Sequence, residues 1–587
     1  MNKKKIIIVV LLYSSNLLAQ MNTHFVTTWK TNNEGLTGNR SIMLPVYADL
    51  LTGSSNGYVY NYDVDWNNDG VFDEFGLTGS VIHTFSSPGI YTIRIRGQFP
   101  RIYFQPRLPM EYLADNPKLI KVNQWGNQVW ESMAYAFSDC VNLDGPSLDI
   151  PNLSIVTDMN FMFLNATKFN QDLSLWDTSH ITSMKGTFCG AYRFNNNIGT
   201  WDTANVTDMS LMFFLALSFN QNISTWNTSS VVDMSHMFRI ARSFNQDISP
   251  WNTANVADMS YMFQKAISFN QDISPWNTAN VTDMSHMFED ATSFNQDISA
   301  WSTANVTDMS HMFEDATSFN QDISAWSTAN VADMSYMFQN ATSFNKDIGP
   351  WNTANVADMS HMFQNVSSFN QDISLWNTAN VADMSYMFQN ATSFNQDISL
   401  WNTANVTHMS YMFQNAISFD QDLGTWNISS LLFAVNMFKG VTLSTPNYES
   451  LLIGWQEQTH NNNVQFSGGN SKYCIAEAER SRGILIETDS WNIVDAGFDS
   501  LCAPIAPNFF TPNNDDYNDT WDVTDANGFV ISISIYDRYG KFLMKILPNT
   551  TGWDGTYNSL ELPGTDYWYV MNLLNGKQLR GHFTLKR

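Results

Sequence analysis

The chain has 587 residues, more than one compact core can organise, so several domains or a repeat array are expected. Lys and Arg number 29 against 55 Asp and Glu, a formal charge of −26, which argues against nucleic acid, whose phosphates need a basic surface. The acids are spread along the chain rather than gathered into a tail, as on a solvated, self-repelling surface.

Residues 1–19 read as an export signal. Lys3, Lys4 and Lys5 precede the apolar run Ile6 to Leu12, and "LLAQ" offers cleavage after Ala19. The run falls well short of the ~20 residues a membrane span needs. No later segment is apolar enough to cross a bilayer, so the mature chain is expected to have no transmembrane segment and to be secreted or held at the outer cell surface. Residues 20–110 then read as a small β-sandwich. From Tyr58 to Gly97 apolar and polar residues alternate between Gly, Pro, Asn and Asp turns. Asp65, Asn67, Asp69 and Asp73 are spaced like the first ligands of a calcium loop, with Gly70 at the sharp turn. The twelfth position is Gly76 rather than a bidentate Glu, so a structural calcium and an Asx-rich turn both remain open. The Asp-rich strand end and the "PGIYTIRI" run resemble a polycystic-kidney-disease (PKD) or related immunoglobulin-like module.

Residues 120–440 are periodic. Trp176, Trp201, Trp226, Trp251, Trp276, Trp301, Trp326, Trp351, Trp376, Trp401 and Trp426 stand 25 residues apart. Within one repeat, Met209, Met212, Phe213 and Ala216 fall at i, i+3, i+4 and i+7, one face of a short helical segment. Asp208 sits where a carboxylate caps such a segment. "SFNQNIS" suits a strand, and "WNTANV" a turn. No repeat can bury its Trp, two Met, two Phe, Val and Ile alone, whereas stacked repeats cover one another. The expected fold class is therefore a mixed α/β repeat protein, a solenoid of about 12 coils between two small β-sandwich domains. The Asn220, Asn245, Asn270, Asn295 and Asn320 column is expected to bond along the stack. "NVTDMSHMFEDATSFNQDISAW" resembles the repeat of BspA-like leucine-rich-repeat surface proteins, which implies a leucine-rich-repeat-like solenoid and a cell-surface, sometimes adhesive, role.

Residues 441–503, with a helix expected near "YESLLIGWQEQ", are placed to cap the last coil. Residues 504–587 are strand-rich. "FFTPNNDDYNDTWDV", "IYDRYGKFL", "GWDGTYN", "LPGTDYWYVMNL" and "GHFTLKR" resemble, in order, the gliding-motility-associated C-terminal domain of Bacteroidetes, the type B sorting signal of type IX secretion. That resemblance implies the type IX machinery as a partner.

Chemistry is sparse. Four cysteines show no zinc spacing. Cys140 and Cys189 lie two coils apart, about 9.6 Å at the strand spacing, beyond the ~7 Å limit for a disulfide. They are expected to stay unpaired and buried, while Cys474 and Cys502 bond and staple the cap. One repeat phase holds His236, Tyr261, His286, His311, Tyr336, His361, Tyr386 and Tyr411. Residues that interchange His and Tyr make poor catalytic bases, and catalysis needs different groups placed once, so no enzyme is expected and no cofactor beyond the calcium left open above. As an apolar ring with a polar tip, each suits contact with a surface protein or glycan, and half-exposed packing is the plainer reading. Two alternatives stand beside an adhesin-like display: a polysaccharide-acting β-helix enzyme, which would need an irregular coil, and an ice- or mineral-binding array on the column Thr203, Thr253, Thr278 and Thr303.

Overall fold

The computed structural model describes residues 23–47, 57–106, 114–548, 550–574 and 576–587, so the export signal of residues 1–19 lies outside the described residues. The chain divides into two compact units, Met1–Asp347 and Ile348–Arg587.

Among the described residues the first unit opens on seven strands: β1 (Phe25–Lys30), β2 (Ser41–Leu44), β3 (Asn61–Asp65), β4 (Glu74–Leu77), β5 (Val81–Thr84), β6 (Ile90–Gln98) and β7 (Leu119–Gln124). Five form an antiparallel sheet in the order β4-β3-β6-β1-β7, and β2 pairs with β5. Period-two alternation puts Tyr62 and Val64 of β3, and Ile93 and Ile95 of β6, wholly inside with Phe25 and Trp29. The edge strand β7 comes from beyond residue 110, so the sheet reaches further along the chain than the alternation of residues 58–97 indicates. Just before β7, Lys118 and Asp115 form an ion pair at 3.2 Å with both side chains fully buried. The Lys118 ammonium also donates to the carbonyls of Thr37, Gly38 and Ser41, and Asp115 accepts from Thr37 and Met43, so neither charge is left bare.

The repeats that follow correct the expectation of a mixed α/β, leucine-rich-repeat-like solenoid of about 12 coils. Among the described residues the α-helices are α1 (Thr445–Glu457) and α2 (Ala476–Glu487), and both lie past the repeats. The segment from Met209 to Ala216 is a chain of turns. Met212 and Ala216 donate to carbonyls three residues back, at Met209 (3.2 Å) and Phe213 (2.9 Å). The alternate amides point elsewhere: those of Met209, Leu211, Phe213 and Leu215 donate to Asp233, Ser235, Met237 and Arg239 in the next repeat. Such alternation requires left-handed backbone at every fourth residue, φ +59° at Leu211 and +60° at Leu215. An α-helix cannot pass through those angles. In the repeat from Trp176 the two positions are Gly186 and Gly190, where the conformation is cheap for the backbone. The strand expected in "SFNQNIS" is also absent. Pairing between repeats is reduced to single parallel bridges such as Asp208 with Asp233 and Asp233 with Asp258.

Each column of the stack has its own bond. The Trp226 indole donates to Ile198 O at 3.0 Å, and the buried Thr203 hydroxyl to Asn227 O at 2.9 Å. Asn220 Oδ1 accepts from the Asn245 amide (2.9 Å) and from Gln246 Nε2 (3.0 Å). Asp208 Oδ1 accepts from both the amide and the hydroxyl of Ser210, which makes it a turn cap rather than a helix cap. Phe213 stacks on Phe219 at 3.9 Å within its repeat and on Phe238 at 5.5 Å in the next. Cys140 and Cys189 are buried here as free thiols, and burial pushes Cys189 up to about 12.

The second unit continues the same scheme, Trp376, Trp401 and Trp426 donating to Ile348, Ile373 and Ile398 at 3.1 Å. Helix α1 then ends the ladder by supplying the next indole of the series: Trp455 donates to Leu423 O at 3.0 Å. The short strands β8 (Gln465–Ser467) and β9 (Asn492–Val494) pair in parallel beside it. Glu449 of α1 accepts the amides of Cys474 and Ile475 at the start of α2, and Cys474 is disulfide-bonded to Cys502 with a Cα separation of 5.4 Å. Arg482 grips the buried Asp495 with two bonds, 2.8 and 2.9 Å, and Tyr448 donates to the same carboxylate.

Seven strands complete the chain: β10 (Phe509–Phe510), β11 (Val530–Tyr536), β12 (Phe542–Ile546), β13 (Thr556–Tyr557), β14 (Leu560–Glu561), β15 (Asp566–Leu573) and β16 (Gln578–Leu585). The sheet order is β10-β16-β15-β11-β12, with β13 and β14 paired apart. Its core joins Trp521, Trp553, Phe510, Ile535, Met571 and Phe583.

Candidate interaction face

The left-handed position at the eleventh residue of each repeat decides how its side chain stands. After Gly186 and Leu211 it is filled in the first unit by the rings His236, Tyr261, His286, His311 and Tyr336, and in the second by His361, Tyr386 and Tyr411, all eight rings with positive φ and half-buried. The unbroken 25-residue register lays these rings face to face. Centroids are 4.5, 4.2, 4.2 and 4.4 Å apart along the first set, and 4.4 and 4.6 Å along the second. Flat faces are spent on neighbouring rings, so edges and polar tips meet water.

The flank of the first set is charged. Glu289 Oε2 lies 2.6 Å from His286 Nδ1 and accepts from Gln264, while Lys265 reaches Glu289 at 3.5 Å and Asp290 at 3.3 Å. Burial works to raise the Glu289 carboxyl, but His286, Gln264 and Lys265 together hold it below its ordinary value. His311 and Glu314 repeat the pairing at 2.5 Å. At the start of the set, burial first and the Arg239 charge second push His236 down to about 4. The Arg239 guanidinium lies 5.3 Å from the Phe214 ring and 5.0 Å from the Tyr261 ring. The second set is flanked by neutral amides, His361 on Gln364 at 2.6 Å and Gln389 on Gln414 at 2.5 Å. Sequence reasoning found the rings and missed this flank. The available signal was Arg239 at a phase that runs Phe214, Arg239, Gln264, Glu289 and Glu314.

The remaining candidates lie elsewhere. Asp65 is buried, and its two oxygens accept the amides of Asn67, Asp69 and Gly70; Asp73 accepts Trp66 N, and Asp69 accepts Val71 N. These bonds close an Asx-rich turn, and Gly76 stands where a loop of this type carries a bidentate Glu. Cys474, Asp499 and Cys502 form a tight cluster, but the sulfurs are joined and offer no thiolate. Thr203, Thr253, Thr278 and Thr303 are about 1% exposed with hydroxyls bonded to carbonyls, so that column presents no lattice to ice or mineral.

Near-identical repeats ending in a separate, strand-built domain define the class of molecule. The family described as "Mycoplasma protein of unknown function, DUF285" matches at residues 131–249, 195–292, 216–313, 272–367 and 344–451, together more than half of the chain. The chain belongs to this family. Residues 504–585 match the CHU_C type IX secretion signal domain, which marks a secreted or cell-surface protein and the secretion machinery as its partner. No curated protein and no solved structure matches the chain. Among the described residues no helix is long and apolar enough to cross a membrane.

Proposed function

We propose that the protein is a non-enzymatic, adhesin-like surface protein, exported by type IX secretion after loss of its N-terminal signal, whose repeats display a face for a glycan or protein. The observation that carries this reading is the half-exposed ring column, a His or Tyr offered at successive repeats from His236 to Tyr336 and from His361 to Tyr411. Each contact is weak, and strength comes from engaging several at once. The reading against catalysis rests on the same feature: His286, His311 and His361 each pair with the side chain three residues on, in near-equivalent settings, whereas catalysis needs a set of different groups placed once. The resemblance to BspA-like surface proteins points the same way.

The test replaces all eight rings, His236, Tyr261, His286, His311, Tyr336, His361, Tyr386 and Tyr411, by Ser and screens wild type and variant against arrayed glycans and extracellular proteins. Binding lost with melting little changed supports the reading. Binding that survives moves the ligand to another surface. Export is tested separately: without residues 504–587 the chain should stay in the periplasm of its native host, and its normal appearance outside the cell would refute the sorting role.

A further inference from the structure

The sheet of the C-terminal domain turns one face into its core, and the part of the other face around Tyr536 and Ser534 is open to solvent. Ile533, Ile535, Met571 and Phe583 turn into the core, so their strand neighbours turn outward. The antiparallel register sets Phe542 opposite Tyr536, Tyr536 opposite Trp568, and Trp568 opposite His582. Four rings therefore cross β12, β11, β15 and β16 in one row on the water side. Phe542 is 50% exposed and Trp568 41%. The next outward row along the strands, about 7 Å away, runs from Lys545 on β12 to Arg580 on β16, both exposed. In a chain of net charge −26 this face is locally cationic. The carboxylate it carries, Asp566, is occupied by the Thr584 hydroxyl at 2.6 Å.

A contiguous apolar row rimmed by charge is what interaction surfaces expose. The rings meet edge-on, Tyr536 and Phe542 at 69°, or tilted, Trp568 and His582 at 38°, so they do not make the coplanar platform that stacking on sugar rings needs. The relief fits protein side chains inserted between the rings. We propose that this face is the surface by which the export machinery reads the signal domain, and that its partner is a protein with an apolar groove flanked by carboxylates. The proposal rests on the secretion reading of residues 504–587 and adds where that signal is read.

The experiment expresses the full chain in its native host with Lys545→Glu and Arg580→Glu together, and separately with Phe542→Ser and Trp568→Ser. Arg538→Glu with Lys541→Glu, in the β11–β12 turn, controls for charge alone. Each on-face pair should lower the protein outside the cell by about tenfold or more, with folded, protease-resistant chain accumulating in the periplasm, while the control exports normally. Wild-type export by both on-face pairs, or equal loss by the control, overturns the proposal. Glycan binding through this face with export intact also overturns it. If deletion of residues 504–587 blocks export but the on-face pairs do not, this surface is wrong and the secretion reading stands. If the deletion itself exports normally, the secretion reading has failed.

Discussion

The repeats and the C-terminal sheet meet the same requirement, a bond for every buried amide, in opposite ways. In the sheet, β11 pairs with β15 over most of its length, and each contact in the core of Trp521, Phe583 and Met571 occurs once. In the repeats almost no strand forms, yet the amides of Met209, Leu211, Phe213 and Leu215 all find carbonyls in the next repeat. The first arrangement fixes one cooperative core. The second is a sum of like neighbours, in which stability is nearly additive from repeat to repeat. A half-exposed column can vary in the second without disturbing anything but the repeats beside it.

Removing one indole from each region should break this contrast most visibly. Trp301→Ala and Trp521→Ala each delete a buried ring and an indole hydrogen bond, to Ile273 and Pro507, and each should cost about 3–5 kcal/mol. Hydrogen exchange should rise only in the repeats adjoining Trp301, whereas the whole C-terminal sheet should lose protection with Trp521. Uniform loss throughout the first unit would remove the additive picture.

A pH series sharpens it at a single position. His236 is held down to about 4 in the fold, so between its ordinary value near 6.5 and 4 the unfolded chain binds the proton first. Its contribution is complete above about 6.5 and falls away as pH drops toward 4. His236→Leu, the residue type that Leu211 provides at the same phase, should reduce that pH-dependent loss by on the order of 1 kcal/mol, solvent screening of the half-buried ring included. Denaturant titrations of both proteins at pH 7 and pH 4.5 read the difference, and parallel slopes would contradict the burial ascribed to His236.

The smallest effect concerns backbone strain. Ile240 sits at φ +59°, a poor place for a β-branched side chain, where Asn340, Asn390 and Asn415 occupy the equivalent position in other repeats. Ile240→Asn should stabilise by about 1 kcal/mol, seen as a raised melting temperature. A lowered one would mean that Ile240 packing outweighs the strain.

That strain also explains what the sequence concealed. The period, the buried phases and the Asn column follow from identity between copies, and identity is visible in letters. The local conformation is not, because apolar residues at i, i+3, i+4 and i+7 serve an amphipathic helix and a string of turns equally well. The discriminating letters were Gly186, Gly190 and the Asn or Asp four residues after six of the eight rings, all tolerant of left-handed backbone. At the ring column itself the spacing located the residues, but nothing in it revealed that ring would lie on ring, or that Glu289 and Glu314 would bind the histidines.

The joint between repeats has a consequence for inheritance. Residues 276–300 and 301–325 differ only at Asn277 and Ser302. Were Trp301 to Ala325 lost in frame, Trp326 would arrive where Trp301 stood and find the carbonyl of Ile273 at the distance its predecessor used. The seam would be indistinguishable from any other. Array length can thus change by whole repeats without any amino acid having to be reinvented.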